Sequence, residues 1–318
     1  MNRNDALAGD ADNPLMKENE EPSAALSYGL MGLLCLLWGS TWLVIKWGLR
    51  DTPPFAGASA RFVVAFLVMA ALTVLLRKRE GGDRPPRGVV LAQGLCQFVL
   101  NYALVYLSET ILPSGLVSVL WSVFPLMMAF AGHFVTRAEP LRPRQWIGFA
   151  VAFGGIVSLF VTDVAAISQK AVWMGLLLLL APASVAYSTT LIKRRAQGAS
   201  SLLLNRDSIL IGALGLALLS VVFEQPGSAV WSGQAVFSVL YLAIPGTVVT
   251  FGVYLWLLRY VPAYRLSLTA YITPVVALLL GNAIGDEPLR ETTIAGTALV
   301  LGGVALTLAA RRPAKTTA

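Results

Sequence analysis

Glu139-Pro140-Leu141-Arg142 and Glu287-Pro288-Leu289-Arg290 are the same four residues, standing 148 positions apart in a chain of 318 residues. Their surroundings repeat too. Upstream, Pro113 and Pro262 each lie 12 residues before a second proline, Pro125 and Pro274. Downstream, Gly148 with Gly154-Gly155 is matched by Gly296 with Gly302-Gly303. Further back, Val44-Ile45-Lys46 corresponds to Leu191-Ile192-Lys193. Self-similarity over so long a period marks an internal duplication.

Both copies sit in apolar sequence. Hydrophobic residues make up 56% of the chain and charged residues 13%, and the mean hydropathy is +0.70, which excludes an ordinary soluble domain. A helix needs roughly 20 apolar residues to cross a bilayer. Ten such stretches are readable: 26–47, 55–76, 89–107, 112–135, 146–162, 172–192, 202–223, 235–257, 263–285 and 292–310. The expected fold is an all-α polytopic membrane protein with ten transmembrane helices in two five-helix repeats, 26–162 and 171–310. Short tails flank them, 1–25 and 311–318. The first tail is acidic and lacks the basic start and short apolar core of a cleavable signal, so it is read as disordered.

The basic residues give the orientation. With the N-terminus inside, 18 Lys and Arg fall on the cytoplasmic side against four outside (Lys46, Arg50, Lys170 and Arg290), with Arg61 and Arg206 near span ends. The positive-inside rule then puts both termini in the cytoplasm of an inner or plasma membrane. Read this way, the net charge of +7 reports topology and not a nucleic-acid partner; the partners expected are lipid and a small solute, for a monomer or a homodimer. Five spans per repeat is odd, so the second copy enters from the opposite side. The halves are inverted, and proteins that carry solutes across membranes are commonly built so.

Candidate site residues follow from polar positions inside the spans. Gly94, Gln97, Asn101 and Ser108 share one helical face, and Ser114, Ser118 and Ser122 recur at intervals of four beside Trp121. The repeat pairs Asn101 with Thr250, Val105 with Tyr254, Ser118 with Ser267 and Ser122 with Tyr271. Trp38, Thr41, Trp42 and Tyr187 add aromatic surface with hydrogen-bonding edges. Together these predict a midplane binding cavity; helix glue through small polar residues is the other reading. Pro125 and Pro274, near mid-span, are candidate kinks.

Ionisable groups are informative by position. Glu109, Asp163, Asp207, Glu224, Asp286 and Glu287 all lie near predicted span ends, which argues against a central proton relay and for solute-driven flux with weak dependence on a pH gradient. Arg61 is read as snorkelling outward or pairing with a carbonyl, a substrate carboxylate being the other reading. His133 is assigned to the interface. Cys35 and Cys96 are read as packing residues, and no metal or cofactor is expected. Signatures of hydrolases and nucleotide-binding loops are missing, so an enzyme is not expected.

Trp38-Gly39-Ser40, Ala60-Arg61-Phe62, Pro125 with Glu139-Pro140-Leu141, Gly148 and Gly154-Gly155, and the second copy from Pro262 to Gly303 resemble the EamA branch of the drug/metabolite transporter superfamily. The resemblance spans about 30–310. Arg137-Ala138 and Gly285-Asp286 depart from the family's usual residues before the glutamate. It implies two inverted five-helix repeats, a central cavity, alternating access, and export of small amphipathic metabolites, aromatic or neutral amino acids above all. Efflux of lipophilic drugs or dyes is the alternative within transport; a membrane sensor or scaffold is the rival of another class. Helices with Gly148, Gly154, Gly155, Gly296, Gly302 and Gly303 are expected to be close-packed scaffold.

Overall fold

A computed structural model of the chain describes residues 22–134, 142–161, 168–261, 266 and 269–309. Expectations that fall on the two tails, on Glu139-Pro140-Leu141, on Pro262 and on Ser267 lie outside the described residues. The described part is helical throughout, without a named strand. Its helices are α1 (Ala24–Gly48), α2 (Pro54–Glu80), α3 (Arg87–Gln93), α4 (Asn101–Glu109), α5 (Ser114–Trp121), α6 (Phe124–Phe134) and α7 (Pro143–Val161). The second half holds α8 (Gln169–Leu178), α9 (Leu180–Arg195), α10 (Ser201–Phe223), α11 (Gly233–Ala243), α12 (Thr250–Tyr260), α13 (Thr269–Ile284) and α14 (Glu291–Ala309). Two π-helical turns, π1 (Gly94–Leu100) and π2 (Ile244–Val249), join α3 to α4 and α11 to α12.

Seven helical stretches are long and apolar enough to cross a membrane: Ala24–Gly48, Pro54–Lys78, Arg87–Glu109, Ser114–Ala131, Gln169–Arg195, Ser201–Phe223 and Gly233–Tyr254. Tyr271–Ile284 and Glu291–Thr307 are shorter apolar helices. Leu67, Val74, Leu214 and Val221 are each more than half exposed on these helices. In water such a surface would be costly; facing lipid it is not, which is how a multi-pass membrane protein distributes its apolar residues.

Prolines set the interruptions. A proline removes the N–H that would reach back four residues. The helix breaks at Ser122-Val123, three and two residues before Pro125, and at Leu179, three residues before Pro182. Pro245 lies within π2. Pro274, by contrast, sits inside a continuous α13, so the two repeat-matched prolines do different things locally.

The helix pairings map onto themselves when the halves are exchanged: α2 packs on α10, α7 on α14, α1 on α13, and α6 on α9. On α7 and α14 the contact is made of glycine. Gly155 approaches Gly296 and Val300, and Gly148 approaches Gly303 and Thr307, so the two helices run antiparallel with their backbones touching. Four of the six expected scaffold glycines meet a neighbour there; a Cβ at Gly154 or Gly302 would meet nothing within 4 Å.

Carboxylates tie the helix ends together. Glu224, at the end of α10, accepts from Phe55 N (2.6 Å) and Ala56 N (2.9 Å) at the start of α2. At the opposite end Glu80 of α2 accepts from Ser200 Oγ (2.5 Å), Ser201 Oγ (2.5 Å) and Leu202 N (3.1 Å) at the start of α10. Glu287, in the repeated tetrapeptide, accepts from Ser114 N (2.7 Å) and Gly115 N (3.1 Å). Each carboxylate meets the orphan N–H groups and positive dipole end of a helix.

Partial burial alone would raise the Glu80 carboxyl, but the hydrogen bonds from Ser200, Ser201 and the backbone outweigh it and hold the group below its ordinary value of 4.5. A depressed carboxyl stabilises the fold above the unfolded-state value, and that contribution disappears as pH falls through the folded-state value. The wild type should therefore melt higher than Glu80→Gln at neutral pH, and the gap should close on acidification below 4.5. A gap independent of pH would show that the charge at Glu80 contributes nothing.

Candidate functional site

The predicted polar face of the third span converges with α5 and α1 in mid-span. Asn101 opens α4 directly after π1 and is 2% exposed. Its side-chain oxygen accepts from Trp121 Nε1 at 2.8 Å, and its Nδ2 donates to Gln97 O at 3.2 Å. The Trp121 ring stacks on Phe124 at 5.4 Å and lies 6.3 Å from the Trp42 ring. One turn away on α1, Trp38 packs on Tyr254 at 5.6 Å and Phe251 at 6.4 Å. Helix α1 thus holds aromatic contacts to α5 of the first half and α12 of the second.

Small residues make this approach feasible. A Cβ at Gly39 would come within 2.6 Å of Val276 Cβ, so Gly39 lets α1 lie against α13. A Cβ at Gly246 in π2 would come within 2.9 Å of the Thr41 methyl. Ser40 Oγ and the Tyr241 hydroxyl are hydrogen-bonded at 2.7 Å.

The expected hydroxyl stripes are arranged differently from the reading above. Thr41, Ser118 and Ser122 donate to carbonyls three residues back in their own helices, Trp38 O, Gly115 O and Val119 O, each at 2.6 Å. Thr250 does the same toward Thr247 O at 3.3 Å. Such back-bonding satisfies the hydroxyl within its helix. Tyr271 is partly buried against the main core, and Gln97 is partly buried with its carbonyl engaged by Asn101. Tyr187 is 50% exposed and borders a cavity of about 130 Å³ with Met127, Phe130 and Thr190, away from the Trp42–Trp121 contact. A larger cavity of about 310 Å³ lies toward the Glu287 end, among Leu112, Leu116, Leu278, Glu287 and Arg290. Around Asn101 the side chains close on one another.

Arg61 and Glu109, which the sequence reading placed near span ends, lie beside this group. Arg61 does not snorkel: it is 2% exposed. Its guanidinium carbon sits 4.7 Å from the Tyr102 ring centre and 5.2 Å from that of Phe62. Nη2 donates to Thr247 Oγ1 at 3.0 Å, with the Tyr102 hydroxyl at 3.5 Å. Thr247 in turn donates to Leu242 O, five residues back, at 2.8 Å, the reach that the wide π turn provides. Glu109 does end its helix as expected, yet it is 0% exposed, enclosed by protein. Lys46 Nζ donates to Glu109 O (2.5 Å) and Leu112 O (2.9 Å), closing the end of α4. Tyr102, Tyr106 and Glu109 are spaced i, i+4, i+7, a helical face the sequence did display.

The EamA-like transporter family matches the chain twice, over 26–161 and 172–309. Among curated proteins, an uncharacterized transporter, YoaV, of Bacillus subtilis (strain 168) is 25% identical over 269 residues, covering 85% of this chain and 92% of that protein. The inner membrane transporter YedA of Escherichia coli (strain K12), also uncharacterized, is 27% identical over 265 residues, covering 83% and 84%. A protein of the same strain named as a probable amino-acid metabolite efflux pump is 24% identical over 291 residues, covering 87% and 93%. A solved crystal structure with 20% identity superposes with a TM-score of 0.62 over 89% of this chain and 96% of that one, a likeness of fold. With both halves matched along nearly their whole length, the chain belongs to the EamA-like transporter family.

Proposed function

We propose that this chain is a secondary transporter that exports small amphipathic metabolites, amino acids foremost, by alternating access between two inverted five-helix repeats, 26–162 and 171–310. The observation that carries this reading is the pair of π turns. Gly94–Leu100 immediately precedes Asn101, and Ile244–Val249 immediately precedes Thr250, the residue that the repeat aligns with Asn101. Irregular helical turns at matched mid-span positions are how transporters of this architecture build solute sites between their halves. The antiparallel α7–α14 contact and the exchange-related pairings support inversion. Relatives named as transporters, one of them an amino-acid metabolite efflux pump, support the direction and the solute class.

The solute surface is assigned to Trp38, Trp42, Asn101, Trp121 and Tyr254, with Gln97, Thr250 and Tyr271 reached when the halves part. Thr41, Ser118 and Ser122 shape the lining through their methyl and methylene faces. The membrane is the inner or plasma membrane, with both termini cytoplasmic. Single cysteines at Ser228 and Arg84, in a chain lacking Cys35 and Cys96, test the orientation: Ser228→Cys should react with an impermeant maleimide in intact cells, and Arg84→Cys only after permeabilisation. The reverse pattern would invert the topology.

Export itself is tested in cells loaded with dipeptides. Cells producing the chain should release the liberated amino acids faster than cells producing Trp121→Ala at equal membrane abundance. Release of lipophilic cationic dyes in their place would assign drug efflux, and no difference for any solute would leave a scaffold.

A further inference from the structure

We propose that Arg61 and Glu109 form a recognition site for a zwitterion, Arg61 taking the carboxylate and Glu109 the ammonium of an α-amino acid. This rests on the export reading above and sharpens its solute class. Glu109 lies within electrostatic reach of three other ionisable groups, Lys46, Arg61 and Glu287. Two of these are held by backbone groups. The Lys46 ammonium holds the carbonyls of Glu109 and Leu112, and the Glu287 carboxylate holds the N–H groups at the start of α5.

The other two are not. Arg61 uses Nη2 toward Thr247 and Tyr102, while Nε and Nη1 are buried without a hydrogen-bond partner. Both carboxylate oxygens of Glu109 are likewise buried and unpartnered. Opposite charges that share a low-dielectric site normally pair, yet among the described residues the ion pair within 4.0 Å is Arg206–Asp207, elsewhere. Tyr106 interacts with both: it is within electrostatic reach of Arg61 and of Glu109, and its hydroxyl is buried without a hydrogen-bond partner.

Buried groups of this kind are costly unless a partner supplies the missing bonds. A cation alone would serve Glu109 and leave Arg61 bare; an anion alone would do the reverse. A neutral molecule carrying both charges serves both at once and adds no net charge to the protein interior. The rings of Phe62 and Tyr102 against Arg61, with Tyr106 against Tyr102, suit an amphipathic side chain. The cluster also joins the solute path: Arg61 bonds Thr247 in π2, and Tyr102 follows Asn101 directly in α4.

The test uses three probes on the full-length purified protein: L-phenylalanine, L-phenylalaninamide, which lacks the carboxylate, and N-acetyl-L-phenylalanine, which lacks the ammonium. Ligand-dependent thermal stabilisation and proteoliposome flux are both read. The wild type should prefer the zwitterion by roughly tenfold or more over each analogue. Arg61→Gln should remove the preference over the amide but keep that over the N-acetyl form, and Glu109→Gln should do the converse. Because a variant with one buried charge left over can misfold, the wild-type comparison stands by itself: equal binding of all three probes overturns the site. So does a zwitterion preference that both folded variants retain. Binding with discrimination but no flux overturns the transport reading alone; flux without discrimination overturns the zwitterion site alone.

Discussion

Leucine in place of Gly155 or Gly303 is expected to abolish recovery of folded protein from the membrane. At Gly155 even a Cβ would come within 2.7 Å of Val300 N and 2.9 Å of Gly296 O, backbone atoms that no rotamer change can move. At Gly303 the obstacle is again backbone, Ala152 N and Gly148 O. Overpacking usually costs about 1–3 kcal/mol where side chains can adjust; here α7 and α14 must separate along their length, so the loss should be larger. Alanine at Gly154 or Gly302 is the matched control, since a Cβ there meets nothing within 4 Å. Yield of monodisperse protein in detergent reads the result. Wild-type yield for Gly155→Leu would mean that the glycine contact is not what joins the halves at this face.

The second large effect is on transport. Asn101→Ala should lower flux by roughly tenfold, because it leaves Trp121 Nε1–H without its acceptor and the Gln97 carbonyl without its donor; each buried loss is worth about 1–3 kcal/mol. Trp121→Phe keeps the stack on Phe124 but removes the same bond, and should cost about as much. The double variant should be little worse than either single one, since both remove a shared interaction. Ser118→Ala and Ser122→Ala should transport nearly normally, because those hydroxyls serve their own helix. Additive losses from Asn101 and Trp121 would separate them into independent roles.

How far the chain could be read in advance depends on what kind of contact a residue makes. Among the described residues, seven of the ten expected spans appear as helical stretches long and apolar enough to cross a membrane, such as Ala24–Gly48 for 26–47 and Ser201–Phe223 for 202–223, because each is a continuous apolar run. The Glu-Pro-Leu-Arg motif was visible as a repeat, but its work was not: Glu287 satisfies N–H groups 172 and 173 residues earlier in the chain, a partnership that no local pattern encodes. Glycines at Gly148, Gly155, Gly296 and Gly303 carried their packing role openly, whereas Gly154 and Gly302 shared the motif without the contact.

The site was legible in part. Asn101 and Trp121 were each visible as candidate positions in adjacent spans, but the hydrogen bond between them was not. The serine and threonine stripes gave positions but not hydrogen bonding, since a hydroxyl in a helix can turn back to its own carbonyl as readily as face a cavity. Tyr187 looked like lining because aromatic residues suit both a solute and the surface. Arg61 and Glu109 were judged by distance from a span end, which measures depth along the helix but not enclosure by neighbours; burial of both is set by α2, α4 and π2 together.

Counterflow in proteoliposomes tests the central claim most directly. Vesicles containing the purified chain are preloaded with one unlabelled solute from a panel of amino acids, nucleosides, sugars and cationic dyes, then diluted into the same solute at tracer concentration with label. The wild type should accumulate labelled amino acid transiently above equilibrium, and Asn101→Ala should stay near the level of empty liposomes. Wild-type vesicles that accumulate no amino acid, or that accumulate only the dyes, would contradict the account.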